Sequence, residues 1–300
     1  MSGRHLGELR TRLSAWYEPR GAQYPWREEP NPYRVLVSEV MLQQTQAARV
    51  VAPYRLFLER FPTIAALAAA PASEVVRAWS GLGYNRRAVS LSRAARLVAA
   101  EHGGRLPSSA DALRSLPGVG PYTASAVASI AFGERLPAID VNVRRVVSRA
   151  VFGAEPTEVP DVDVAAAAGA LLDPVDPGSW NQAIMDLGRE ACRVTPACRR
   201  CPLLGACRSG GRERPAGRAS TRPPARFEGS NRQLRGRMIE QLRRHEWCSL
   251  GKLANDAAVS LDRARAAVAA MAREGILEAG PAALGGRPGG RVRLAEAGSR

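Results

Sequence analysis

Glu39 is the acid whose surroundings point most clearly to chemistry. It lies in the segment VLVSEVML, where nearly all of its neighbours are apolar. An acid in apolar surroundings loses hydration, which raises its pKa and keeps a proton available near neutral pH. This setting predicts a general acid. The alternative is a surface glutamate on an amphipathic helix, because charged residues are rarely buried unless they are paired.

A second acid, Asp140, ends the stretch LPGVGPYTASAVASIAFGERLPAID, residues 116–140. Gly118 and Gly120 form a tight turn in it, and the prolines on either side end any preceding helix. Such a turn lets the backbone approach a phosphate, and free N–H groups at the start of the next helix point the same way. Asp140 could then lie near the sugar of a bound nucleotide. The alternative is an ordinary helix–helix turn with Asp140 as an N-cap.

Four cysteines are confined to sixteen residues with the spacing C-x5-C-x2-C-x5-C: Cys192, Cys198, Cys201 and Cys207. The chain has one further cysteine, Cys248. In a cytosolic protein, clustered thiols favour metal ligation over disulfides. An iron–sulfur cluster and a structural zinc both accept four thiolates, and the spacing does not decide between them.

Helical periodicity dominates the elements that carry these residues, and no convincing alternating strand precedes the C-terminal tail, so a mainly α fold is expected. The helices predicted before the cysteines are 6–17, 33–61 with a break near Gln46 or Pro53, 64–69, 72–79, 86–101, 110–116, 122–132, 143–152, 162–172 and 179–189. Tyr84 sits on a glycine turn beside two arginines, and its ring could enter a base stack. A tyrosine packed under the turn is the alternative.

The composition favours a polyanionic partner. The net charge is +15 and the pI about 10.9, which points to nucleic acid first and an anionic membrane surface second. No segment has the length of a signal peptide core or a membrane span, so we expect a cytoplasmic, nucleoid-associated protein that does not bind membranes. Lys252 is the only lysine, and the region that looks catalytic therefore has no side-chain amine for a Schiff base.

A basic linker, 211–230, marks a domain boundary, because arginine, glycine and proline are frequent there. Beyond it the pattern predicts three helices and two short strands: 232–244, 249–257, 261–274, 276–279 and 291–294. This order is typical of a winged-helix domain, which would occupy 231–300. Such a domain could bind DNA or a protein partner.

These segments together resemble the helix–hairpin–helix (HhH-GPD) superfamily of DNA glycosylases, and in particular its adenine-specific MutY-type branch. The resemblance covers roughly residues 24–207. It rests on several motifs in the family's order: PWR at 25–27, SEVMLQQT at 38–45, GLGY at 81–84, LPGVGPYTA at 116–124, DVNVRRV at 140–146, NQAIMDLG at 181–188 and the cysteine loop.

The resemblance implies a monofunctional enzyme that flips adenine out of a mispair with 8-oxoguanine or guanine and hydrolyses its bond to the sugar. Glu39 would protonate N7 of the adenine, and Asp140 would stabilise the cationic sugar. Tyr122 and Asn142 would orient the two acids. Related enzymes such as endonuclease III carry a lysine where this chain has Tyr122, so strand cleavage is not expected.

The same resemblance assigns residues that bind the DNA and the cofactor. Trp26 and Arg27 would line the adenine pocket. The residues entering the duplex or lying near the opposing base would be Gln44, Thr45, Leu82 and Tyr84. The DNA backbone would be held by Gly118 and Gly120, and the four cysteines would carry a structural [4Fe-4S] cluster. The expected fold has two lobes, a six-helix lobe at about 30–139 and a cluster lobe from 1–29 and 140–210, in a monomer bound to mispaired double-stranded DNA.

Three departures from the family pattern stand out. The first cysteine gap has five residues where six are usual, and Asn85 replaces a common second tyrosine after GLGY. The C-terminal region does not resemble the usual domain that helps recognise 8-oxoguanine. Two other functions therefore stay open: a glycosylase of this fold for another base, and a non-enzymatic, cluster-containing DNA-binding regulator.

Overall fold

The computed structural model describes residues 3–20, 24–28, 31–211 and 226–296. These residues form two compact units. One unit comprises the described residues of Met1–Glu39, Leu106–Ser115 and Val119–Thr221, and the other comprises those of Val40–Arg105, Leu116–Gly118 and Arg222–Arg300. Within the described ranges, no helix has the length and apolarity that a membrane span requires.

The first unit is helical. Its helices are α1 (Gly3–Tyr17), α2 (Pro25–Glu28), most of α3 (Pro32–Leu42), α8 (Ala110–Arg114), α9 (Pro121–Phe132), α10 (Val141–Val147), α11 (Asp161–Leu171) and α12 (Pro177–Glu190). Asp140 and Asp176 cap α10 and α12, since each side chain accepts backbone N–H groups of the first turn. The apolar faces of α1, α10, α11 and α12 share one buried core, against which Cys192, Cys201 and Cys207 pack.

The second unit contains α4 (Ala47–Arg60), α5 (Ile64–Ala69), α6 (Ala72–Ala78), α7 (Arg86–Glu101) and the C-terminal region. That region consists of α13 (Asn231–Arg244), β1 (Cys248–Ser249), α14 (Leu250–Ala257), α15 (Leu261–Arg273), β2 (Leu277–Ala279), α16 (Pro281–Leu284) and β3 (Arg291–Leu294). The helices α13, α14 and α15 each begin at a serine N-cap. The strands form an antiparallel sheet in the order β1-β3-β2, with Cys248 opposite Val292 and Leu277 opposite Leu294.

The prediction of a mainly α fold is confirmed, and the C-terminal region has the predicted helices and strands. The structure adds β1 and α16 to it. The long predicted helix divides at 43–46 rather than at Pro53, which lies inside α4. The reason is that Gln44 has a φ of 54°, a conformation that cannot continue a right-handed helix.

The helix predicted at 143–152 is two elements, because α10 passes into a short π-helical segment, Ser148–Phe152. The lobe boundaries derived from the sequence stay a prediction. Most of the predicted linker 211–230 lies outside the described residues.

Candidate active site

Glu39 lies in α3 with only 6% of its surface exposed. Burial raises the pKa of its carboxyl group from 4.5 to about 7. The hydrogen bond with Tyr122 and the charge of Arg27 lower this pKa, whereas the negative charge of Asp140 raises it further. Glu39 therefore holds a proton near neutral pH. The prediction of a desolvated acid is confirmed, and the alternative of a surface glutamate is wrong.

We expect Glu39→Gln to stabilise the fold at alkaline pH. The pKa of Glu39 in the folded state lies above the ordinary 4.5. The contribution of Glu39 to the free energy of unfolding is therefore fully present below pH 4.5, and it is lost as the pH rises to about 7. Glutamine has no charge to bury. Urea unfolding should show a gain in the free energy of unfolding of roughly 2–3 kcal/mol at pH 8 and a smaller gain at pH 5.

The matched control is Glu101→Gln, which removes a carboxyl group at an exposed position. Its effect on the free energy of unfolding should be small at both pH values. An effect of Glu39→Gln that is the same at pH 5 and pH 8 would contradict a buried, titrating carboxyl group.

Asp140 is fixed by three N–H groups that donate to its carboxylate. Oδ1 accepts the backbone N–H groups of Asn142 at 2.8 Å and Val143 at 2.7 Å. Oδ2 accepts the side-chain amide of Asn142 at 2.6 Å. The N-cap interpretation of Asp140 is therefore confirmed, since Oδ1 accepts the first backbone N–H groups of α10. The side chain of Asn142 holds the other oxygen, Oδ2.

Asn142 connects Asp140 to the cysteine loop through Arg145, a residue that the sequence did not single out. The Arg145 guanidinium donates to Asn142 Oδ1 at 2.8 Å, to the Gly188 carbonyl at 2.8 Å and to the Cys192 carbonyl at 2.6 Å. Gly188 is required here, because a Cβ at this position would lie 2.6 Å from the Asn142 Cβ. A rigid set of contacts thus runs from the carboxylate to the first cysteine.

Tyr122, the second residue of α9, is half-buried beside Glu39. Burial raises the pKa of its hydroxyl well above the ordinary value, and the nearby charges of Glu39 and Asp140 add to the increase. The hydroxyl oxygen also lies 3.0 Å from Met185 Sδ. The structure therefore brings Glu39, Tyr122 and Asp140 together, with Asn142 behind Asp140.

Trp26 and Arg27 lie in the same unit. Trp26 is 5% exposed and its ring stacks on Tyr24 with centroids 4.8 Å apart. The Arg27 guanidinium forms a buried, bidentate ion pair with Asp186, with N–O distances of 2.7 and 2.9 Å. The Arg27 Nε is buried without a hydrogen-bond partner among the described residues. Asp186 was missed in the sequence, although it lies in the motif NQAIMDLG.

Gln44 and Tyr84 are both exposed and both have a positive φ, 54° and 45°. A non-glycine residue in this region costs on the order of 1–3 kcal/mol, and such strain persists only where neighbouring contacts hold it. Thr45 is half-buried, whereas Leu82 is 5% exposed and packs inside its unit. Of the four residues assigned to the duplex, Gln44 and Tyr84 thus present exposed side chains.

Arg87 supplies contacts that hold both strained residues, a role that was not predicted from the sequence. Near Gln44, its guanidinium donates to the carbonyls of Val40, Met41 and Gln43 and to the Thr45 hydroxyl. Near Tyr84, it donates to the carbonyl of Leu82. It also lies 5.5 Å from the centre of the Tyr84 ring. Burial lowers the pKa of Arg87 to about 10. One side chain therefore fixes the turns that carry Gln44 and Tyr84.

The two hairpin glycines differ in what requires them. Gly118 has a φ of 81°, and a Cβ there would lie 2.6 Å from the Ser90 Cβ. Gly120 has an ordinary φ of −85° and caps α9, and a Cβ there would meet no atom of the described residues within 4 Å. The fold itself therefore requires a glycine at position 118. At position 120, a side chain would obstruct only an approaching ligand.

The variants Gly118→Ala and Gly120→Ala form a matched pair. We expect Gly118→Ala to lower the free energy of unfolding by about 1–3 kcal/mol, because a positive φ and a steric clash oppose the methyl group. Gly120→Ala should leave thermal unfolding nearly unchanged but weaken binding to a fluorescent DNA duplex. Equal losses of stability in the two variants would contradict this division.

The four cysteines line one cavity, together with Arg149, Ala191 and Leu204. All are free thiols. Arg149 Nη1 lies 3.8 Å from Cys192 Sγ, and Glu155 pairs with the same guanidinium. In the described part of the chain, no three His, Cys, Asp or Glu side chains are arranged to hold one metal ion. The thiols surround a space and do not converge on a point.

The chain is similar to a known class of proteins both in sequence and in fold. A sequence model described as "HhH-GPD superfamily base excision DNA repair protein" matches residues 37–161. The chain is similar to a solved structure of a thermostable thymine-DNA glycosylase, with a TM-score of 0.63 and 28% identity over 68% of this chain and 95% of that one. A trapped endonuclease III–DNA covalent intermediate has the same fold, with a TM-score of 0.59 and 24% identity over 70% of this chain and 97% of that one.

The sequence relatives are more specific. An adenine DNA glycosylase of Mycobacterium tuberculosis is 42% identical over 252 residues, which cover 81% of each chain. The chain therefore belongs to the adenine DNA glycosylase family of the HhH-GPD superfamily.

Proposed function

We propose that the protein removes adenine from mispairs with 8-oxoguanine or guanine in double-stranded DNA, as a monomer and without cutting the strand. The observation that carries the proposal is the buried Glu39, which holds a proton near pH 7 beside Tyr122 and the charge of Asp140. A proton donor and an anion are the two groups that cleavage of a base–sugar bond requires. Membership of the adenine DNA glycosylase family indicates that adenine is the base that is removed.

In the first step Glu39 gives its proton to N7 of the extruded adenine. Protonation draws electrons from the bond between N9 and the sugar carbon C1′, so that this bond breaks and neutral adenine leaves. Tyr122 hydrogen-bonds Glu39 and thereby holds the carboxyl group in one orientation. After this step Glu39 is ionised and the sugar is positively charged.

In the second step the Asp140 carboxylate stabilises the cationic sugar while water attacks C1′. Asn142 holds Asp140 through the 2.6 Å hydrogen bond to Oδ2. The water gives its hydroxide to C1′, and its proton restores the Glu39 carboxyl group. The products are adenine and an abasic site, and the enzyme returns to its starting state.

Trp26 and the Nε of Arg27 would line the adenine pocket, and Asp186 fixes the Arg27 guanidinium there. Gln44 and Tyr84 would enter the duplex, where the aromatic ring can stack on a base. Thr45 and Leu82 would lie near them, and Gly118 and Gly120 would hold the DNA backbone.

The expectation that the strand stays intact rests on the absence of a suitable amine. Strand cleavage by this superfamily's bifunctional members uses a lysine, and Tyr122 occupies that position here. Lys252, the only lysine, lies in α14, outside the segments that carry the site. Hydrolysis by water is then the route that Glu39 and Asp140 can support.

The cysteine loop suits a [4Fe-4S] cluster. Cys192, Cys198, Cys201 and Cys207 would bind it, and the four soft thiolate donors match iron–sulfur chemistry. Thiols around a cavity suit a multi-atom cluster better than a single zinc ion, and the Arg149 charge near Cys192 would offset the negative charge of the cluster. A bound cluster would act as a structural support. Visible absorption of freshly purified protein tests this, because zinc protein is colourless.

Base release from a panel of duplexes tests the function as a whole. The duplexes carry adenine opposite 8-oxoguanine, guanine or thymine, and a further duplex carries a guanine–thymine mispair because a thymine-DNA glycosylase shares the fold. We expect adenine release opposite 8-oxoguanine and guanine only, with strand breaks appearing after alkali. Thymine release, or strand breaks without alkali, would overturn the proposal.

A further inference from the structure

The C-terminal region of the second unit packs directly against the helices that flank the Tyr84 turn. Val76 of α6 and Val89 of α7 belong to the same buried core as Leu234, Met238 and Leu242 of α13. The chain after β3 adds backbone contact, because the Ala72 N–H donates to the Glu296 carbonyl at 3.3 Å. The turn at 81–85 therefore lies between two helices, α6 and α7, that both contact this region.

Arg243 of α13 reaches the residue after Tyr84. Its guanidinium donates to the Val76 carbonyl at 3.0 Å and to Asn85 Oδ1 at 2.9 Å. Its side chain is 13% exposed and Asn85 is buried. The C-terminal region thus contacts the residue that directly follows Tyr84.

Arg232, near the start of α13, reaches Tyr84 itself. Its Nη1 donates to the Tyr84 hydroxyl at 3.0 Å, and its guanidinium also lies 4.8 Å from the centre of the Phe227 ring. Tyr84 is 42% exposed, so this pair lies at the surface. Arg87 lies on the same ring from the N-terminal part of the unit. Two guanidinium groups therefore hold the side chain whose backbone has a positive φ.

We propose that the C-terminal region sets the position of the Tyr84 ring, and that Arg232 is the positioning residue that does so. The inference rests on the proposed function of Tyr84 as a side chain that enters the duplex. A ring held in its bound position before DNA arrives loses less conformational freedom on binding, which improves affinity. The chemistry at Glu39 is unaffected, so Arg232 acts on recognition of the mispair and not on bond cleavage.

The test measures adenine release in single turnover at increasing enzyme concentration, with a duplex carrying adenine opposite guanine. Arg232→Ala should raise the half-saturating enzyme concentration by about tenfold, as expected for one hydrogen bond to a charged group, and change the limiting rate less than about twofold. Arg232→Lys keeps a donor for the hydroxyl and should restore most of the affinity. The control Arg244→Ala removes the same charge from an exposed position of the same helix and should have little effect.

Tyr84→Phe tests whether Arg232 acts through the hydroxyl. Alone it should match Arg232→Ala, and the double variant Arg232→Ala/Tyr84→Phe should be no worse than either single variant. Effects that multiply, or an equal loss in Arg244→Ala, would show that Arg232 acts as a general positive charge and would overturn the proposal. So would an unchanged Arg232→Ala.

The same variants separate this inference from the proposed function. If the wild-type protein releases no adenine from any duplex, the proposed function fails. The coupling between Arg232 and Tyr84 is then read from fluorescence anisotropy of the duplex, where additive losses would overturn the inference on its own. If the wild type releases adenine and Arg232→Ala matches it in affinity, only the inference fails.

Discussion

Glu39→Gln is expected to lower the limiting rate of adenine release by roughly 10²–10⁴-fold, the range that general acid catalysis contributes. Glutamine is nearly the same size and can still hydrogen-bond Tyr122, but it has no acidic proton to give to N7. Single-turnover assays at saturating enzyme measure this rate. Binding to the mispaired duplex, followed by fluorescence anisotropy, should be close to that of the wild type.

The stability experiment on the same variant makes the result interpretable. Because burial of the Glu39 carboxylate opposes folding above pH 7, the inactive variant should be at least as stable as the wild type there. Loss of activity then cannot be attributed to unfolding. A variant that binds DNA and releases adenine at the wild-type rate would remove Glu39 from the mechanism.

Asp140→Asn is the second substitution with a large expected effect. Asparagine keeps an oxygen that can cap α10 but carries no charge to stabilise the sugar cation. We expect the limiting rate to fall by about 10²–10³-fold, as for loss of one electrostatic group at a reacting centre. The assay is again single-turnover adenine release.

Asp176→Asn is the matched control, because Asp176 caps α12 through its side chain as Asp140 caps α10. In thermal unfolding Asp176→Asn should lose little stability, and Asp140→Asn somewhat more, because its new amide N–H group faces the side-chain amide of Asn142. Only Asp140→Asn should lose activity. Comparable rates for the two variants would mean that Asp140 serves the helix and not the reaction.

Local patterns in the sequence predicted the features that depend on neighbouring residues. Apolar periodicity was sufficient for the helices, and the apolar surroundings of Glu39 were sufficient for its raised pKa. The close spacing of the cysteines predicted that they would share one environment, and the structure places all four around one cavity.

Contacts between distant parts of the chain could not be derived in this way. Arg27 and Asp186 are 159 positions apart, and Arg243 and Asn85 are 158 positions apart. The sequence shows many arginines, and nothing local distinguishes Arg87, whose acceptors are mostly backbone carbonyls, from those exposed to solvent. The positive φ of Gln44 likewise depends on such contacts. No glycine stands at this position to indicate it in the sequence.

The pH dependence of adenine release tests the central claim most directly, that the buried Glu39 carboxyl group delivers the proton. The limiting single-turnover rate for adenine opposite 8-oxoguanine is measured from pH 5.5 to pH 9. Since Glu39 loses its proton with a pKa of about 7, the rate should be highest below neutral pH and fall by about tenfold per pH unit above it. A rate that stays constant up to pH 9 would contradict the account.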